Sequence, residues 1–486
     1  MKVAPSVLRM ELLTSSPHRG ATGVRISKRA IRARTQDLPI TFSRERISAH
    51  GGLEVIRRFL RLLDFRGFVL DRMRGVGPEG DYGFARMLLA VLGLLIVGGV
   101  RVTHLAFLGT DPIFLRFCNL HRLPSDRTLV AWLKAFTPAA LEALCTVIRD
   151  LVYEQIEWLG LRRITLDLDG SVLRTGSHVE GTARGFNPHH PKDPSYYPLT
   201  VHVAQLGQIL RLRNRPGNVH DSHNADGFLR VVVRELRERF GKALKLELRM
   251  DGAFFHPDVF QFLDGELGQD VEYAVKVPMW KWLGLLPKIA ARKHWTRVDD
   301  YVDGFEMRLR IDQEKWDRTE RVVVYRKRVS HRSRKNFQLD LYSPDDGHYE
   351  YSAVATNKSL QVAPLWHFMA GRGAHEKTLA ELKQHFGFAA IPTNDQLANS
   401  AWQLISVLAL NLVRYFQIVT GAKERSRTWK RTFDFVFQSM QTLRFELIQQ
   451  PARLVRPKGR PELRFAASPV ARRRIETAEA ALARAA

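Results

Sequence analysis

Ile164-Thr165-Leu166-Asp167-Leu168-Asp169-Gly170-Ser171 alternates apolar and polar residues up to Asp169 and then breaks at Gly170. A strand with this alternation turns Ile164, Leu166 and Leu168 to one face and Thr165, Asp167 and Asp169 to the other. A second stretch repeats the pattern. Leu244, Leu246, Leu248 and Met250 alternate with Lys245, Glu247, Arg249 and Asp251, and Gly252 follows. Between the two, Leu199 to Ala204 and Ile209 to Asn214 flank Gln205-Leu206-Gly207-Gln208, which predicts a β-hairpin. Phe228, Leu229, Val232, Val233, Leu236 and Phe240 then recur at helical spacing, with Asp221 or Ser222 available as the cap. Val271 to Val277 supplies another strand after a short helix. Strand, hairpin, helix, strand, helix, strand is the order of an α/β core on a mixed sheet.

Outward from this core the pattern changes on both sides. Residues 47–155 are helical: Leu53, Ile56, Phe59, Leu60 and Leu63 share a helical stripe, and Leu123-Pro124-Ser125-Asp126-Arg127-Thr128-Leu129 is a helix start. Short helices separated by basic turns suit a DNA-binding domain, and equally a helical scaffold. Residues 1–46 carry many arginines among Ser, Thr and Gly with little apolar periodicity, as expected of a basic flexible arm. The core occupies 156–279 and resumes at 357–420. Between its halves, 280–356 holds the β-like runs Glu306 to Ile311, Arg321 to Tyr325, Gln338 to Tyr342 and Tyr349 to Thr356, a β-rich insertion. A basic C-terminal region, 421–486, is extended after Arg453 and ends in a helical stretch from Val470.

Composition narrows the function. Of 486 residues, 75 are Lys or Arg against 50 Asp or Glu, a formal charge of +25, and an excess of this size points to a polyanion, nucleic acid by default. Cys118 and Cys145 are too few for a disulfide framework, form no CxxC pair, and lie in apolar helical stretches. The apolar run Met87 to Val100 is short of the roughly 20 residues a membrane span needs. The basic N-terminus is followed by no secretory apolar segment, and no GxxxxGK[ST] phosphate loop is present. The expectation is a cytoplasmic protein acting on DNA, with no membrane and no nucleotide cofactor.

Three carboxylates stand out by position. Asp169 and Asp251 each end an alternating strand just before Gly, and strand C-terminal ends are where ligands bind in open α/β sheets. Two hard oxygen donors there suit Mg2+ with phosphate and water, although Asp-Gly also begins ordinary turns. Glu376 lies in a helix predicted over His375 to Phe386. If its path reaches back to Arg372, Glu376 falls about 40° and Lys383 about 20° from it at about 100° per residue. Arg372, Glu376 and Lys383 then share a face beside the apolar stripe Leu379, Leu382 and Phe386, with Lys377 and Glu381 turned to solvent. Such a face is suited to holding a metal and phosphates together, whereas the alternative, a solvated i,i+4 Arg372–Glu376 pair, leaves Lys383 unexplained. Asp167 shares a face with Asp169; Asp169 is preferred because it ends the strand, and Asp167 either supports it or holds a metal-bound water. Asn187-Pro188-His189-His190, and His220 with His223, lack a third ligand at metal spacing and are expected to be loop histidines.

Arg372, Glu376 and Lys383, at this spacing, resemble the Tyr-Arg-Glu-Lys signature of bacterial insertion-sequence DDE transposases. Leu166 to Ser171 is similar to their first-Asp strand and Leu248 to Phe255 to their second. Arg215-Pro216-Gly217-Asn218 and Thr442-Leu443-Arg444 also resemble segments of one branch. The likeness covers most of 75–460. Met369, with Phe368 beside it, stands where the family's Tyr grips a DNA phosphate. The resemblance implies an RNase H-like mixed-sheet catalytic core with a β-rich insertion, preceded by a helical DNA-binding domain. It implies two Mg2+ ions, with Mn2+ able to substitute, at Asp169, Asp251 and Glu376, and DNA phosphate on Arg372 and Lys383. It also implies cleavage and strand transfer at terminal inverted repeats and target DNA by a homodimer. Relatives with such an insertion often cut through a DNA hairpin and catch a flipped base on an aromatic residue. Trp280, Trp282, Trp295 and Trp316 are candidates that a core would also accommodate. A nuclease or resolvase on the same core, or a transposase-derived DNA-binding protein without catalysis, are the competing readings.

Overall fold

Arg163–Gly170 forms strand β1, and Ile164, Leu166 and Leu168 enter one apolar layer as their alternation predicts. The computed structural model describes residues 37–486 except 177, 186–191, 315, 330–348 and 427–429. Eight more strands join β1: β2 (Leu199–Val203), β3 (Gln208–Arg213), β4 (Lys245–Met250), β5 (Val271–Val277), β6 (Thr296–Arg297), β7 (Val302–Gln313), β8 (Trp316–Arg328) and β9 (Tyr349–Thr356). Their order is β3-β2-β1-β4-β5-β9-β8-β7-β6. β4 lies between β1 and β5 and is parallel to both; the other pairings are antiparallel. This is the mixed sheet expected from the element order, and it agrees with the RNase H-like core that the resemblance implies. The strands expected as an insertion continue that sheet, because β9 pairs with β5. The run Gln338 to Tyr342 lies outside the described residues, as do residues 1–36 of the arm; residues 37–45 carry no helix or strand.

Helices cover the sheet and build a second core beside it. The first six are α1 (Leu53–Leu62), α2 (Phe65–Arg72), α3 (Phe84–Val97), α4 (Pro112–Cys118), α5 (Asp126–Lys134) and α6 (Pro138–Trp158). Ser125 caps α5 by accepting from the Thr128 N–H, as the Pro-Ser start predicts. α7 (Ala225–Phe240) and α8 (Pro257–Asp264) connect the parallel strands. α7 begins later than predicted. Asn224 occupies its cap without a side-chain bond, and Asp221 is used elsewhere.

α9 (Val362–Ala370), α10 (Gly373–His385) and α11 (Gln396–Val419) complete the core. By length and composition α11 could cross a membrane, but 94% of its most apolar window is buried inside the protein. Burial on every side accounts for apolarity on every side. Around it, side chains of α1 and α3–α6 share one apolar cluster with Ile475, Ala478 and Leu482 of α12 (Pro469–Ala485); both cysteines are buried within it. A small sheet joins N-terminal and C-terminal segments: Ala452–Val455 pairs with Ile47–Ser48 on one side and Glu462–Phe465 on the other.

Candidate active site

The parallel register of β1 and β4 sets Asp167 opposite Arg249. Two residues further on, Asp169 near the end of β1 and Asp251 just after β4 therefore stand side by side at the C-terminal edge. Arg372 is helical in its backbone at the cap of α10 (φ −58°, ψ −27°), so the helical path does reach back to it. Its guanidinium lies 3.0 Å from Asp169, 3.3 Å from Asp251 and 3.6 Å from Glu376. Lys383, further along α10, donates to the Val172 carbonyl at 3.1 Å. The fold thus brings the three carboxylates onto one cation. Burial pushes the Asp169 carboxyl up to about 7; Arg372 opposes this, while Asp251, Asp221 and Glu376 add to it. Burial likewise lowers the Lys383 ammonium, against the pull of Asp169.

Asp167 has a different environment. It is fully buried, and Arg249 reaches both its oxygens, at 2.6 and 2.8 Å, while His202 lies 3.2 Å away. Arg249 also donates to the carbonyls of Phe368 and Lys430. A Cβ on Gly371 would fall 1.6 Å from the Lys430 oxygen and 2.1 Å from the guanidinium, so this approach requires glycine there. Both Asp167 oxygens are thus engaged within the sheet.

A polar layer beneath α10 fixes the rotation of that helix. His375 stacks on His202 with ring centres 4.9 Å apart and an interplanar angle of 2°. Thr200 is hydrogen-bonded to His375, and Thr378 to His202. These four buried residues hold one side of α10 to β2, which leaves Glu376 outward and 66% exposed. The sequence gives no periodic signal for such an interface, since it is polar.

Two expectations are corrected. Glu381 does not face solvent: only 13% of its side chain is exposed, it pairs with buried Arg414 of α11, and it accepts from the Met440 N–H at 2.7 Å. The rotation that turns it from Glu376 turns it to a neighbouring helix. Asp221 is not a helix cap but a fourth carboxylate at the strand end. A Cβ on Gly170 would lie 2.2 Å from its Oδ1, so only glycine admits it. Tyr197 donates to Asp221 at 2.7 Å, and Arg215 at 3.1 Å. Burial raises this carboxyl, although Tyr197 opposes the effect. Arg215, already conspicuous in Arg215-Pro216-Gly217-Asn218, is the signal that could have located it.

Beside the carboxylates a cavity of about 750 Å³ is lined by Asp251, Arg372 and Glu376 together with Trp280, Trp366 and Met369. Of the candidate aromatics, Trp280 alone borders it. Trp280 is 38% exposed and stacks on Trp282 at 5.4 Å. Trp316 is buried against Phe255 and Phe260, and Trp295 packs on Phe305. Trp366 carried no signal in the sequence. His189 and His190 lie outside the described residues, and His220 bonds Ser222.

Among the described residues no three His, Cys, Asp or Glu side chains stand close enough together to hold a metal ion as they are. The donors of Asp169, Asp251 and Glu376 still fit one. They are hard carboxylate oxygens, and a cation, the Arg372 guanidinium, already lies among them.

The family model described as transposase DDE domain group 1 matches residues 32–486. Among solved structures, the chain is similar to a piggyBac transposase synaptic complex with hairpin DNA determined by cryo-EM. The identity is 12%, the TM-score 0.40, and the match covers 82% of this chain and 80% of that one. No curated protein matches the chain.

Proposed function

The chain belongs to the transposase DDE domain family, group 1, and on that premise we propose that it is an insertion-sequence transposase, cleaving DNA at the ends of its element and joining them to a target. The observation that carries this reading is the convergence of Asp169, Asp251 and Glu376 on one guanidinium at the edge of parallel strands. These three carboxylates would hold Mg2+, or Mn2+ in its place. When bound, the metal supplies Lewis acidity to the attacking hydroxyl and the leaving oxygen.

The chain's own groups orient the DNA. Arg372 and Lys383 set positive charge on the face that carries Glu376, where a phosphate would be drawn in. Met369 offers no hydroxyl for a phosphate, but Lys276 and Lys327 line the same cavity and can supply that contact. Trp280, which borders the cavity and stacks on Trp282, is the surface on which an unstacked base would rest. Terminal inverted repeats and target DNA are the proposed partners, bound by a homodimer.

The test incubates the purified full chain and Mg2+ with a linear DNA carrying the sequences that flank its gene, together with a supercoiled plasmid. Joined products support the reading. Released ends without joining indicate a nuclease, and binding without cutting indicates a protein that has lost catalysis.

A further inference from the structure

The small sheet of Ile47–Ser48, Ala452–Val455 and Glu462–Phe465 does more than close the helical core. It builds one wall of a cleft of about 590 Å³ whose other walls are α1, α2, α4 with the residues that follow it, and Leu89 of α3. Six arginines line this cleft, and one carboxylate, Asp64. They come from distant parts of the sequence. Arg57 and Arg61 are one helical turn apart on α1, Arg66 lies in the first turn of α2, and Arg116 lies on α4. Arg46 precedes the strand Ile47–Ser48 and Arg456 follows Ala452–Val455. Because those strands are antiparallel, the two arginines emerge at the same end of the sheet.

Little of this charge is neutralised from within. Arg57 and Arg116 share Glu54, at 2.7 and 3.2 Å. Arg46, Arg61, Arg66 and Arg456 are exposed and have no carboxylate partner among the described residues. Asp64 is occupied as the cap of α2, accepting from the Gly67 N–H. Arg66 is placed where a cation opposes the helix dipole, so helix stability does not account for it. Exposed like charges gathered around a concave surface repel one another and focus a positive potential outward, which favours an extended polyanion.

We propose that this cleft grips the sugar-phosphate backbone of duplex DNA, so that the DNA-binding surface is a composite of N-terminal helices and the C-terminal strand segment. The inference rests on the transposase reading for the identity of the polyanion, and it assigns a contact outside the carboxylate site. Arg46, Arg61, Arg66 and Arg456 make the phosphate contacts, while Arg57 and Arg116 are held by Glu54.

The test uses the full-length protein and a 30-base-pair duplex, with affinity measured across a salt series. Removing three phosphate contacts in Arg61→Ala/Arg66→Ala/Arg456→Ala should flatten the log–log salt slope by roughly 2.7, at about 0.9 per contact for duplex DNA. Thermal stability should be unchanged. A charge-matched control, Arg234→Ala/Lys242→Ala/Arg310→Ala, removes exposed cations away from the cleft and should leave the slope close to wild type. Equal flattening in both triple variants, or none in the first, overturns the proposal. Strand transfer by the wild-type protein is scored separately, so a failed cleft with intact joining, or an intact cleft without joining, tells which reading has failed.

Discussion

Arg249 and Asp167 form a two-pronged ion pair in the middle of the sheet, 2.6 and 2.8 Å long, with neither side chain exposed. Removing one partner of such a pair strands the other charge, at a cost of about 3–5 kcal/mol. Asp167→Ala is therefore expected to lower the melting temperature sharply. Asp169→Ala, two residues along the same face, should leave the fold intact and abolish DNA cleavage. Thermal unfolding and cleavage measured on both variants decide the matter. Wild-type stability with lost cleavage in Asp167→Ala would move Asp167 into the reacting set.

Glu376 and Glu381 make the same contrast on one helix. Glu376 is largely exposed, and Glu376→Gln should change stability by no more than about 0.5 kcal/mol. Cleavage should nevertheless fall by orders of magnitude, because the carboxylate charge is lost. Glu381→Ala leaves Arg414 buried without its partner and frees the Met440 N–H, and is expected to destabilise by about 3 kcal/mol. The soluble, folded fraction of that variant should keep its cleavage rate. Loss of activity at full stability in Glu381→Ala would place it in the site after all.

These pairs also mark how far the sequence could be followed. Alternation at 164–169 and 244–251 made the strands and both aspartates legible, because one buried face imposes a period of two. Helical periodicity brought Arg372, Glu376 and Lys383 to one face. It could not say what lay behind Glu381, since the direction of a helix face has meaning only once its neighbour is placed, and the neighbour, α11, is separated from α10 by a connection of ten residues. Asp221 was hidden for a related reason. Asp at that position suits a helix cap locally, and only the tertiary approach through Gly170 gives it another use. The layer of His202, His375, Thr200 and Thr378 is buried yet polar, so a search for apolar stripes passes over it.

The raised Asp169 carboxyl makes a pH prediction. Its folded value is about 7, against about 3.9 for a free Asp side chain. Between those values the folded protein holds a proton that the unfolded chain has released, so stability falls as pH rises from about 4 to about 7. Asp169→Asn has no such group. In EDTA its stability relative to wild type should rise across that window and level off above it, each pH unit contributing roughly 1.4 kcal/mol at most. Melting temperatures of the two proteins from pH 4 to pH 8 give the result. A constant difference would mean that Asp169 is charged throughout.

The last prediction concerns the cation already among the carboxylates. Among the described residues Arg372 is the one side chain in contact with all three of Asp169, Asp251 and Glu376, and it offsets their mutual repulsion in the absence of metal. A divalent ion that enters the same space competes with the guanidinium for those oxygens. Arg372→Gln keeps a polar side chain but removes the charge, so the metal-free protein should melt at a lower temperature than wild type. An ion that binds the folded state alone stabilises it by RT ln(1 + [L]/Kd). The variant should therefore gain more from Mg2+ than wild type does, since nothing has to be displaced. Arg372→Lys, whose compact ammonium cannot span three carboxylates, should fall between the two. The measurement is melting temperature against Mg2+ concentration on free protein, without DNA. A smaller Mg2+ response in Arg372→Gln than in wild type would show that Arg372 holds the carboxylates in place for the ion and does not compete with it.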